Sequence, residues 1–108
     1  MYVEVDLMVE PADVVLRDPD DFGSLKVVVR GAREGPAALY AALEGVGHLD
    51  GDGNALLQTD ALRRLAGRLA RDPDWQRSFE RMVSYAAARG WVARGGNALQ
   101  AHCEWRRD

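Results

Sequence analysis

At 108 residues, 47% hydrophobic and 29% charged, the chain reads as a single domain over 1–108, able to bury roughly 60 to 70% of its unfolded surface without metal or disulfide. A lone cysteine, Cys103, excludes an intramolecular disulfide framework, and no apolar run approaches the roughly 18 residues of a membrane span. The net charge of −3 is unevenly divided, since residues 1–54 carry four of the 14 Lys/Arg and eleven of the 17 Asp/Glu.

The acidic opening Met1-Tyr-Val-Glu-Val-Asp6 lacks the cations of a signal peptide, so a cytoplasmic, reduced setting and no membrane partner are expected. The opposite charges of the two halves suit three uses: anion contact by the basic half, attraction between copies in a homodimer, or mutual neutralisation within the fold.

Val3, Val5, Leu7 and Val9 alternate with Tyr2, Glu4, Asp6 and Met8, a period of two that predicts a half-buried strand with one acidic face. The stretch from Asp13 to Gly23, with Asp18-Pro-Asp-Asp21, reads as the most mobile loop. Leu25-Lys-Val-Val-Val-Arg30 is β-branched and predicts a second strand. Paired antiparallel to the first, it would set Lys26 and Arg30 opposite Glu4, Asp6 or Glu10.

Gly35-Pro36 opens a short helix through Leu39 and Leu43, with proline where its missing N–H costs nothing. A hairpin follows from Val46 to Gln58 around Asp50-Gly-Asp-Gly-Asn54. Thr59 or Asp60 is expected to cap a helix buried through Leu62, Leu65 and Leu69. Asp72-Pro73-Asp74 starts another, with an inward stripe of Trp75, Phe79, Met82, Val83 and Ala86 and Gly90 as its stop. The last strand should bury Leu99, Ala101, Cys103 and Trp105, and Trp75, Trp91 and Trp105 should cluster. The predicted fold is α+β: an antiparallel sheet of about four to five strands with roughly three helices packed on one face.

Residues two apart on a strand share a face, so Gln100, His102 and Glu104 form one polar row. An imidazole beside a carboxylate can abstract and return protons, which suits cofactor-independent isomerisation, cyclisation or dehydration of a small, largely apolar molecule. The candidate catalytic residues are His102 as acid/base, Glu104 orienting it, and His48, the only other histidine. The same row also fits the plain solvent face of an amphipathic strand. Neither a phosphate-cradling loop nor a complete dinucleotide fingerprint occurs, so no cofactor is expected. No metal is expected either: His-Glu-x-x-His and Cys-x-x-Cys are missing, and Asp50, Asp52 and Asn54 imitate a calcium loop only until Ala55 and Ala61 replace its glycine and glutamate. Cys103, on the aliphatic side, reads as a buried hydrophobe.

Two other readings remain open. Residues 59–105 have the order of a winged helix-turn-helix with an Arg64, Arg68, Arg71 stripe, although a pI of 5.3 and Asp72, Asp74 and Glu80 weigh against nucleic acid. Alternatively, the chain is a non-catalytic interaction or self-assembly module working through a sheet edge.

Overall fold

A computed structural model describes residues 1–90 and 97–106. In chain order the elements are β1 (Tyr2–Asp6), β2 (Asp13–Arg17), β3 (Lys26–Arg30), α1 (Gly35–Ala42), β4 (Gly47–Leu49), β5 (Asn54–Gln58), α2 (Thr59–Ala66), α3 (Pro73–Ala88) and β6 (Ala98–Arg106). Short 3₁₀ turns at Ala32–Glu34 and Gly67–Arg71 precede α1 and α3. No helix among the described residues is long and apolar enough to cross a membrane.

The class is α+β, but the sheet is mixed and six-stranded, in the order β2-β1-β3-β6-β5-β4. β1 pairs with β3 in parallel, not antiparallel as the charge pattern led us to expect, and β3 pairs with β6 in parallel too. The reason is the strand that the sequence reading passed over: Asp13–Arg17 returns antiparallel to β1, so the chain re-enters β3 in the original direction. Part of the charge complementarity survives the change of direction, because Arg30 faces Asp6 in register and lies 3.8 Å from its carboxylate. Glu4 pairs instead with Arg17 of β2, at 3.4 Å.

One core joins all three helices to one face of the sheet. Val3, Val5, Val27, Val29, Ala55, Leu57, Leu99 and Ala101 meet Leu39 and Leu43 of α1, Leu62 of α2 and Phe79 of α3. Each fully buried side chain of this size stabilises by roughly 1.5 to 3 kcal/mol. α2 touches both β5 and β2, four places apart in the sheet order, so the sheet curls around the helices. The Cα radius of gyration, 13.4 Å, matches the roughly 13 Å expected of one domain this long.

Several local expectations are revised. Thr59 does not cap α2 through its side chain: Gln58 occupies the cap position, and the Thr59 hydroxyl donates to the Asn97 carbonyl at 3.4 Å. α2 ends at Ala66, so Leu69 falls on the 3₁₀ turn and is exposed. Asp72 does cap α3, accepting the Asp74 N–H at 2.8 Å, and Gly90 takes the positive φ of a helix stop. Trp105 lies near the end of β6, past the last residue paired with β5, is 37% exposed and does not join Trp75; Trp91 lies outside the described residues.

Candidate functional site

The β6 alternation places Gln100, His102 and Glu104 on the sheet face away from the helices. In register, His102 stands between Lys26 of β3 and Asn54 of β5. Glu104 does not hydrogen-bond to His102. Its Oε2 accepts from Lys26 Nζ at 3.0 Å and lies 3.9 Å from Arg106 Nη2. The Lys26 hydrogen bond and charge hold the Glu104 carboxyl below its ordinary range, desolvation opposes them, and Arg106 and His102 add smaller pulls. Glu104 therefore offers His102 a nearby negative charge and not an orienting bond.

His48 is level with Leu56, which is level with Gln100, so both histidines lie on one face. Two strand spacings and one two-residue step separate them, about 12 Å. They share a face without meeting. Glu4, on the same face, is also two strands from β6, with Val28 between it and Glu104 in register.

A recess opens where the β2–β3 loop meets α3. Its inner cavity, about 100 Å³, is walled by Phe22, Leu25, Met82, Tyr85, Ala86 and Leu99. It widens outward into a groove of about 520 Å³, where Ser78 and Arg81 join Phe22, Met82 and Tyr85. At the other end Leu25 and Gln100 are shared with an open depression of about 320 Å³ that also contains Asn54 and His102. A strip of surface thus runs from Arg81, past an apolar middle, to the imidazole.

Local chemistry fixes both walls. In the loop, Asp21 N–H donates to the Asp18 carbonyl at 3.0 Å and the Asp21 carboxylate accepts from Gly23 N–H at 3.1 Å, a turn built by aspartate. The Trp75 indole N–H donates to the Pro19 carbonyl at 2.8 Å, tying the loop to α3. Phe22 leans on Trp75 with ring centroids 5.9 Å apart, and Trp75 stacks on Phe79 at 4.9 Å. One wall of the recess is therefore rooted in the core by an aromatic stack. On the other wall, Ser78, Arg81, Met82 and Tyr85 recur at helical spacing along one side of α3.

Phe22, Leu25, Met82 and Tyr85 were not singled out as site residues by the sequence. The available signal was two large apolar residues in a loop otherwise made of Asp, Pro, Gly and Ser, together with the Ser78, Met82, Tyr85 spacing. Neither says that loop and helix face each other, which only the β2 turn and the Trp75 bond bring about.

The remaining polar candidates have structural duties. Asp50 Oδ1 accepts from the Asp52 and Asn54 amides at 2.8 and 3.2 Å, closing the hairpin turn; the Asp52 bond is the main cause of its lowered carboxyl pKa, against opposing desolvation. Burial, then the Asp50 charge, pushes the Cys103 thiol up to about 11, so it is neutral and not a thiolate nucleophile. Arg64 of the basic stripe donates to the Gly45 carbonyl at 2.8 Å. Ala98–Arg106 lies inside the sheet between β3 and β5, so these residues do not form the separate wing hairpin of a winged helix.

The arrangement can enclose an apolar body between loop and helix while presenting an imidazole at one end and a guanidinium at the other. No protein-family model, curated protein or solved structure matches this chain.

Proposed function

We propose that the chain binds a small, largely apolar molecule in the recess between the β2–β3 loop and α3, and that His102 exchanges a proton with it without a cofactor. The observation that carries this reading is the sharing of Leu25 and Gln100 between the apolar cavity and the depression holding His102. A molecule seated against Phe22, Met82 and Tyr85 can reach the imidazole by passing those two residues. His102 is exposed in the depression, where it can take a proton from, or return one to, a weakly acidic position of a bound molecule in an isomerase, cyclase or dehydratase type of reaction. Glu104 supports an imidazolium by its charge, and His48, about two strands away, takes no part.

Binding is read by titration with the neutral apolar fluorophore N-phenyl-1-naphthylamine, whose emission rises on leaving water. Saturable binding that is lost on placing a large ring at Ser78 (Ser78→Trp) supports the recess; binding unchanged by that variant refutes it. In a turnover screen with small enolisable carbonyl compounds, His102→Ala is expected to abolish any activity while leaving the unfolding midpoint in place, since the side chain is exposed. Equal loss of folding and activity would make His102 structural.

A second reading, self-association, draws on a separate surface. Met8, Val9 and Tyr40 are 49, 46 and 63% exposed, and Val9, Pro11, Ala12, Ala38 and Ala41 line a groove between the β1–β2 turn and α1. The groove also holds Glu10 and Glu34, so it would suit a partner surface with basic as well as apolar groups. Sedimentation that depends on protein concentration and is abolished by Tyr40→Arg would favour it; a concentration-independent monomer would remove it.

A further inference from the structure

We infer that the ligand of the recess is an amphiphilic anion, a flat or chain-like apolar body ending in a carboxylate or sulfonate, with Arg81 receiving the anionic end. The inference rests on the reading of the recess as a binding site and adds the ligand's charge and orientation.

Among the residues lining the cavity and its outer groove, Arg81 is the one charged side chain. Its helical neighbours leave it available. At three and four residues' distance stand Arg77, Ser78, Ser84 and Tyr85, none of them acidic, whereas Arg63 and Arg77 each have an aspartate three residues earlier and pair with it. Arg89, one turn beyond Tyr85, is occupied over the Tyr85 ring at 5.0 Å. Asp21 of the facing loop accepts from the Gly23 amide through Oδ1, and its Oδ2 lies 3.7 Å from the Met1 amino group.

Size and polarity agree. Ser78 to Tyr85 spans seven residues, about 10 Å along α3, and the lining between them is Met82 opposite Phe22 and Leu25. A two-ring aromatic or medium-length chain fills that distance. Ser78 lines the same groove as Arg81 and its hydroxyl can donate a second bond to an oxyanion, and guanidinium binds two oxygens of a planar or tetrahedral oxyanion through parallel N–H bonds. With the anion fixed at Arg81, the apolar body points inward toward Leu25 and Gln100, and its far end lies nearest His102.

The test uses two fluorophores that share a skeleton. 8-Anilinonaphthalene-1-sulfonate carries the anion and N-phenyl-1-naphthylamine lacks it. The protein should bind the sulfonate more tightly than the neutral probe. Arg81→Gln should weaken the sulfonate about tenfold or more and leave the neutral probe within twofold, while Arg81→Lys should restore part of the loss. Arg68→Gln, an equal change of net charge on the 3₁₀ turn, should leave both probes unchanged. If both probes are displaced by Ser78→Trp but the sulfonate ignores Arg81→Gln, or responds as strongly to Arg68→Gln, the anion inference is overturned and the recess stands. If neither probe responds to Ser78→Trp, the recess itself is not the binding site, and the inference falls with it.

Discussion

Trp75→Phe is the sharpest test of how the fold holds the candidate site. The indole is 5% exposed, donates to Pro19, and lies between Phe22 and Phe79. Phenylalanine keeps a ring in the stack but removes the N–H and two ring carbons. The hydrogen bond is worth about 1 kcal/mol, and two buried carbons at about 0.8 kcal/mol each add roughly 1.6. The expected loss is about 2.5 kcal/mol, a large share of the 5 to 15 kcal/mol typical of a whole domain. It is read from urea unfolding followed by circular dichroism, because the substitution changes the fluorescence itself. The loss has an address as well as a size. The Asp21 and Gly23 amides, held inside the loop by Asp18 and Asp21, should exchange hydrogen faster, and the neutral probe should bind more weakly once Phe22 loses its backing. A variant within 0.5 kcal/mol of the parent, with unchanged exchange at those amides, would refute the claim that Trp75 anchors the loop.

Other contacts of the fold give further expected outcomes. Because Lys26 lowers the folded-state pKa of Glu104 below its ordinary 4.5, the pair stabilises above that value and its contribution fades as pH falls through the folded pKa. Urea midpoints of the parent and Glu104→Gln should thus converge between pH 7 and pH 3, and a constant gap would contradict the assignment. Cys103 titrates the other way. Its folded pKa of about 11 lies above the ordinary 9.0, so stability is intact below pH 9 and is lost as pH rises toward 11, a limb that Cys103→Ala should flatten. The same thiol should resist a thiol-reactive dye at pH 8 until urea is added; immediate labelling of the native protein would place it at the surface. Finally, a Cβ at Gly47 would fall inside the van der Waals envelope of the Leu56 carbonyl oxygen, so Gly47→Ala should cost about 1 to 3 kcal/mol by prising β4 from β5. Unchanged amide protection along β4 would show that the edge strand tolerates a side chain.

What the sequence made legible depended on how far each signal was local. The β-branched run of β3, the Asp/Gly turn between β4 and β5, and the Asp72-Pro73 start of α3 are each complete within a few residues, and each forms as read, whereas the alternation of β1 holds only to Asp6 and Val9, expected inward, is 46% exposed in the turn that follows. β2 escaped because Asp13-Val-Val-Leu-Arg17 does not alternate and its apolar residues are only half-buried. Missing that one return strand reversed the apparent direction of β1 against β3 and hid the parallel pairing of β3 with β6. Trp105 misled for a related reason: it keeps the inward parity of Leu99, Ala101 and Cys103 but lies close to the end of its strand, past the last residue paired with β5. The polar row of Gln100, His102 and Glu104 lies on one face as the period of two requires. That Lys26 takes the Glu104 carboxylate, and that His48 stands two strands away, are properties of strand order. The recess is less legible still, since its walls come from a loop and a helix more than fifty residues apart, joined by one indole N–H reaching Pro19.

The most direct test of the central claim is a methyl and imidazole NMR map of the protein titrated with N-phenyl-1-naphthylamine. Saturable shifts are expected at the Met82 and Ala86 methyls and at the His102 ring protons, with Met8, Ala38 and Ala41 on the α1 side unmoved. Shifts confined to Met8, Ala38 and Ala41, or Met82 and Ala86 responding while His102 stays still, would contradict a site that joins the apolar recess to the imidazole.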